Sequence, residues 1–202
     1  MSPGATFERV YNELKRMLAE GELPPGTPIE PAPIGKQIAS SITPIRDALH
    51  RLTGERLVEA PNHNGFRVPL PTEASLRDMY AWNATLLILA FRKAPQNPEL
   101  RRTSTIEAAS GGSITAGELF AEIARATGSG EHLRAIERLN DRLSPPRRVE
   151  AILFDDLAVE LQALRHDVAG AGPSSRAALA RYHRRRIRAV PEIVARLRGI
   201  NA

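Results

Sequence analysis

Ser41-Ile42-Thr43-Pro44-Ile45-Arg46-Asp47-Ala48-Leu49 is the stretch on which the fold turns. Ile45, Ala48, Leu49 and Leu52 recur at helical spacing, which predicts a helix with one apolar face. Thr43, Arg46 and His50 then share the opposite, solvent-facing side. Threonine followed by proline signals a helix start, because proline fits the first turn and the hydroxyl can cap free amides. A short helix that leads with exposed polar residues, after another short helix, has the form of a helix-turn-helix reading element.

Moving toward the N-terminus, Ala39-Ser40 reads as a tight turn and Ile34 to Ile38 as a short helix with apolar residues four apart. Phe7, Val10, Tyr11, Leu14, Met17 and Leu18 lie on one face of a longer helix. Gly21 suits its end, and Leu23-Pro24-Pro25-Gly26 forbids continuation. Toward the C-terminus, Thr53-Gly54 is the expected stop of the central helix. Leu57-Val58-Glu59-Ala60 and Phe66-Arg67-Val68 read as short strands flanking Pro61-Asn62-His63-Asn64-Gly65, where Asn-Gly favours a hairpin turn. Three helices and a β-hairpin make a winged helix-turn-helix over residues 1–70.

Pro69 and Pro71 mark the boundary with a second domain, 71–202. Thr72 can cap a helix running to about Lys93, and further helices are expected at 115–127, 131–143, 147–168 and 174–198. Breaks are expected at 95–98, at Gly111-Gly112, from Gly128 to Gly130, at Pro145-Pro146, and from Gly170 to Pro173, with a kink at Pro191. Nothing alternates like a strand, so the expected fold is mainly α: a winged helix-turn-helix followed by an all-α bundle.

Composition narrows the class further. Hydrophobic residues make up 42% of the 202 residues, enough for a buried core. There is no cysteine, so disulfides and thiolate metal sites are excluded. No apolar run is long enough to span a bilayer and no secretory signal is visible, which favours the cytoplasm. The formal charge is +5, but residues 1–70 balance eight Lys/Arg against eight Asp/Glu. The surplus sits in the second half, above all from Arg181 to Arg198, so net charge does not locate a nucleic-acid site. The arrangement of residues has to.

That arrangement resembles the GntR family of bacterial transcription regulators. The resemblance is carried by Gly21-Glu22-Leu23-Pro24-Pro25-Gly26, by Ser41 to Leu49, and by Arg56-Leu57-Val58 with Asn64-Gly65-Phe66-Arg67-Val68. The family usually writes the middle motif S-R-T-P-V-R-E-A-L, so this chain departs from it mainly at Ile42. The resemblance implies double-stranded operator DNA as partner. It implies contacts from Thr43 and Arg46 on the central helix and from the tip of the wing; Lys36, Ser41 and His50 on the helices, and His63, Asn64, Gly65 and Arg67 on the wing, complete the candidate DNA-binding residues. Threonine can bond a phosphate or touch a thymine methyl, and arginine can bond a guanine edge at two points. Lys36 and Arg51 are placed to hold phosphates. Hydrocarbon at Ile42 removes one hydrogen-bonding contact, so an altered operator or weaker binding is expected.

The second half resembles the effector domain of the FadR-type subfamily, with Ile123-Ala124-Arg125-Ala126-Thr127-Gly128 matching the family's L-A-x-A-S-G. Many such domains hold a divalent metal with one aspartate and three histidines. The matching positions here are Ala116, Phe120, Leu157 and His183, which leave a single imidazole. One nitrogen cannot replace a multi-ligand set, so the metal site is expected to be lost and no cofactor is implied. Three faces point inward: Ala116, Phe120, Ile123 and Thr127; Leu153, Leu157, Leu161 and Leu164; and His183, Ile187, Val190, Val194 and Leu197. Asn83, Phe120, Leu157 and His183 are the candidate ligand-binding residues. Asparagine at 83 stands where the family often has arginine, so a neutral or hydrophobic effector is favoured over a carboxylate.

Arg181, Arg184, Arg185 and Arg188 form one basic stripe, read as a solvated face, an auxiliary phosphate contact or an acidic partner's patch. No catalytic triad order, phosphate loop or HExxH helix is present and no buried carboxylate pair is evident, so an enzyme is not expected. The sequence therefore describes a homodimeric regulator whose helical domain dimerises and binds a small effector. The alternative is a ligand-independent regulator or protein-interaction module with an apolar, metal-free helical domain.

Overall fold

A computed structural model describes residues 3–61, 65–93, 114–169 and 173–199 of the chain. His63 and Asn64, and the breaks expected at 95–98 and 111–112, lie outside the described residues. The chain divides into two compact units: 1–71 with 141–149 and 194–202, and 72–140 with 150–193. No helix among the described residues is long and apolar enough to cross a membrane.

The first unit opens with α1 (Pro3–Glu20). Its stripe of Val10, Leu14 and Met17 is buried, and the helix packs chiefly against α3 (Ile42–Gly54). Gly21, at φ +78, ends it in the left-handed region that glycine adopts without penalty. α2 (Pro31–Gln37) starts with proline in its first turn, where the missing amide costs nothing. The turn between α2 and α3 closes through Ile38 N–H donating to Ile34 O (3.0 Å) and Ser40 N–H donating to Gly35 O (2.9 Å). Ala39 adopts φ +50 to make that corner. Arg9 of α1 donates to Ile38 O at 2.9 Å and ties the corner to the first helix.

The apolar face expected for α3 is present: Ile45, Ala48, Leu49 and Leu52 are completely buried. Burying each leucine or isoleucine is worth roughly 1.5–3 kcal/mol, so this face is what fixes the helix in place. Two local details differ from expectation. Ser41, not Thr43, occupies the N-cap position, and its side chain makes no capping bond. The helix runs through Gly54 to a cap at Glu55, and the left-handed residue that ends it is Arg56 (φ +61).

The wing differs more. β2 (Phe66–Arg67) pairs antiparallel with β1 (Pro28–Ile29), in the register Pro28 with Arg67 and Ile29 with Phe66. The strand expected at Leu57–Ala60 is reduced to one bridge, in which Glu59 and Arg67 exchange backbone hydrogen bonds of 2.8 Å. Leu57 and Val58 instead turn inward and are buried in the core, and both of their amides reach back to Leu52 O.

The second unit is built from helices. α4 (Glu73–Lys93) starts at Thr72, whose hydroxyl accepts from Ser75 N–H at 3.1 Å. α5 (Ala116–Arg125) begins with a capping box between Thr115 and Glu118 and packs against α4. α6 (Gly130–Leu153) is capped by Ser129 and does not break at Pro145-Pro146. Leu143, Pro146 and Val149, in the stretch of this helix that belongs to the first unit, are buried. The real break falls at Phe154, before α7 (Leu157–Ala169). α8 (Pro173–Gly199) continues through Pro191. Leu76, Tyr80 and Leu87 of α4, Phe120 and Ile123 of α5, Leu161 and Leu164 of α7, and Leu179 and Val190 of α8 are buried in this unit. The expected inward face at 153–164 holds only in part, since Leu153 and Leu157 are half-exposed.

Candidate functional site

The leading end of α3 combines free polar groups with an apolar anchor. Burial of Ile45, Ala48 and Leu49 on one side turns the opposite face of the helix outward. Ser41, Ile42, Thr43, Arg46, Asp47 and His50 are all exposed. Among the described residues Arg46 has neither a hydrogen bond nor an ion pair, and the Thr43 hydroxyl has no partner. His50 packs edge-on against Phe66 of β2, with ring centroids 5.0 Å apart, which links the helix face to the wing base. Lys36 is exposed in the last turn of α2. Gly65 sits at φ +82, a conformation favouring glycine, with open space where a side chain would go. Arg67 is exposed beside Glu59 (3.4 Å).

Arg51, expected to hold phosphate, is turned to α1. Its guanidinium stacks over the Tyr11 ring at 4.2 Å and pairs with Glu8 at 3.1 Å and Glu55 at 3.4 Å. Burial and the Glu55 carboxylate, which accepts from the phenol, together push the Tyr11 hydroxyl well above its ordinary range. This knot fastens α1 to α3 and leaves the cationic groups of Lys36, Arg46 and Arg67 on the outer side.

A second polar cluster lies in the core of the helical unit. Asn83 on α4 and His183 on α8 are completely or almost completely buried, and His183 Nε2 lies 2.9 Å from Asn83 Oδ1. The other ring nitrogen, Nδ1, lies 2.8 Å from Leu179 O. Phe120 stacks on the imidazole, with centroids 5.6 Å apart and planes 22° from parallel. Three of the four candidate ligand residues are thus brought together. Leu157 stands apart as the half-exposed first residue of α7.

One turn along the same two helices is a feature that sequence reasoning missed. Arg186 is fully buried, donates from Nε to Glu150 at 2.9 Å and pairs with Glu160 at 2.6 Å. The Tyr80 hydroxyl donates to the other oxygen of Glu150. Arg186 also lies over the Tyr182 ring at 3.5 Å. Among the described residues, Asn83 Nδ2 and Arg186 Nη2 are buried donors without a hydrogen-bond partner. Ala116, Phe120 and Leu157 carry no oxygen or nitrogen side-chain atom, and no group of His, Cys, Asp or Glu among the described residues is arranged to hold a metal ion. Those residues do not fit a metal.

The basic stripe is partly neutralised. Arg185 pairs with Asp156 and Glu160, and Arg181 with Asp167 at 3.2 Å. Arg181, Arg184, Arg185 and Arg188 line an open concavity of about 470 Å³.

The first unit has the architecture of a winged helix-turn-helix: a three-helix core, a second short helix turning into an exposed third, and an extended segment returning through a small β-ladder. Its sequence carries the family signature as well. Residues 6–68 match the family described as "Bacterial regulatory proteins, gntR family". A 78-residue stretch is 31% identical to YdhC of Bacillus subtilis (strain 168), described as an HTH-type transcriptional regulator. That match covers 39% of this chain and spans 35% of the relative's length. Over nearly the full length the fold is that of E. coli McbR/YncC (TM-score 0.66, 23% identity, 93% of this chain and 97% of that one). It is equally that of a chain from Rhodococcus sp. RHA1 described as a transcriptional regulator GntR (TM-score 0.65, 16% identity, 96% and 98%). At these identities the likeness is one of fold.

Proposed function

We propose that the chain is a GntR-type, sequence-specific DNA-binding transcription regulator of the FadR-type subfamily, acting as a homodimer on double-stranded operator DNA. The observation that carries this reading is the unpartnered leading edge of α3, where Thr43 and Arg46 stand exposed on a helix whose opposite face is locked in the core. A guanidinium free of intramolecular partners can donate to a guanine edge without first breaking an ion pair. Lys36, Ser41 and His50 flank that edge, Gly65 and Arg67 belong to the wing that follows it, and His63 and Asn64 directly precede these in the sequence.

Selection from a random DNA library, followed by gel-shift titration, tests the reading. Wild-type protein is expected to enrich a two-fold related sequence. Arg46→Ala is expected to weaken that sequence by about 1–3 kcal/mol while leaving the melting temperature unchanged. Absence of any enriched sequence at moderate salt would remove the regulator assignment.

The helical unit is proposed to bind a small, uncharged or largely apolar effector beside Asn83, Phe120 and His183, without a metal. Two buried donors lacking partners favour a molecule that brings a carbonyl or hydroxyl acceptor. The Arg186 charge is already balanced by Glu150 and Glu160, which argues against a second anion. A metabolite thermal-shift screen decides this. A ligand that prefers the native state raises the melting point, and Asn83→Leu should abolish the rise. If no compound shifts the protein, the ligand-independent alternative stands.

A further inference from the structure

Ile42 is the exception among the isoleucines of the first unit. Ile29, Ile34, Ile38 and Ile45 are at most 8% exposed, whereas Ile42 is 48% exposed. It is the first residue of α3, and it shares a face with Arg46 one turn on. Its neighbours Ser41 and Thr43 are exposed too, so it stands within the edge that leads the helix. Isoleucine has no donor or acceptor, so it cannot bond a phosphate, a guanine edge or an adenine edge. The one feature of the major groove that complements hydrocarbon is the C5-methyl group of thymine. A β-branched side chain is also stiff at χ1, so its methyls are presented with little freedom left to lose.

We infer that Ile42 is a specificity-determining residue that reads a thymine methyl in the operator, close to a guanine read by Arg46. The inference rests on the DNA-binding reading above. Four helical residues rise about 6 Å, and base pairs are stacked about 3.4 Å apart. The thymine and the guanine therefore lie within about two base-pair steps of each other. The motif selects a base by shape and apolar contact at this position, and by hydrogen bonds at the next.

The test uses the full chain and the sequence it enriches. Each thymine of one half-site is replaced singly by deoxyuridine, which deletes the methyl group and keeps every hydrogen bond. For wild type, one replacement near the conserved guanine is expected to weaken binding about three- to fivefold, the loss expected for one buried methyl. Ile42→Ala is expected to bind the thymine and uracil forms equally, and Ile42→Arg to shift the preference at that position toward guanine. Circular dichroism checks that both variants remain folded, as substitution of an exposed residue should allow. If wild type enriches a sequence but no methyl deletion matters, or if Ile42→Ala keeps the methyl sensitivity, the inference fails and the DNA-binding reading survives. If wild type enriches nothing, both fail together.

Discussion

Ala39 shows how much one residue can strain a corner. It sits at φ +50 between α2 and α3, where a Cβ crowds the backbone at a cost of roughly 1–2 kcal/mol. Ala39→Gly should therefore raise unfolding free energy by about 1 kcal/mol in urea titration, after allowance for glycine's extra freedom in the unfolded chain. Buried Arg186 predicts the opposite sign. Arg186→Met leaves Glu150, 1% exposed, without its guanidinium and should cost about 3–5 kcal/mol. Adding Glu150→Leu should restore only part of that loss, since it removes the unpaired carboxylate but also takes the acceptor from the Tyr80 hydroxyl. The sequence disclosed one of the two polar clusters and hid the other for a physical reason. Asn83 and His183 were legible because each interrupts an apolar stripe. Arg186 lies among Arg181, Arg184, Arg185 and Arg188, where one more arginine looks like surface, and Glu150 follows a proline pair that the sequence reads as a break between two helices.

Elements were legible where their period was strong and illegible where packing overrode a local rule. The stripes of α1 and α3 placed both helices and their buried faces. The returning strand of the wing was legible at 66–67, but its pairing was only partly so, because Leu57 and Val58, strand-like by composition, are drawn into the core, while Pro28-Ile29 gives no strand signal at all. Gly35 explains why α2 and α3 meet so tightly. A Cβ there would lie 2.8 Å from Ser40 O and 3.2 Å from Ile45 Cδ1. Gly35→Ala should thus cost roughly 1–3 kcal/mol in chemical denaturation and weaken DNA binding as the turn shifts. The start of α5 yields a pH dependence. The Thr115 hydroxyl, and then its backbone amide, hold the Glu118 carboxyl below its ordinary 4.5. A carboxylate depressed in the folded state stabilises fully above its unfolded value and loses that contribution as pH falls through the folded one. The stability gap between wild type and Thr115→Ala should accordingly be present at neutral pH and shrink in acid, measured by urea titration at both.

At the scale of the whole molecule, a head with no net charge in residues 1–70 is joined to a basic helical body. Binding strength on DNA should then come from pairing two heads, and light scattering at micromolar concentration is expected to give about twice the 22.1 kDa of one chain. The β-ladder bears on how such heads can be exchanged. Arg67 is its middle rung, bridged to Glu59 on one side and to Pro28 on the other, while Gly26 and Thr27 bond Val68. An engineer who grafts a foreign wing by splicing only the segment around residues 59–68 would tear a seam whose second edge lies some forty residues upstream. Chimaeras between paralogues will hold their shape only if both edges of that seam travel together.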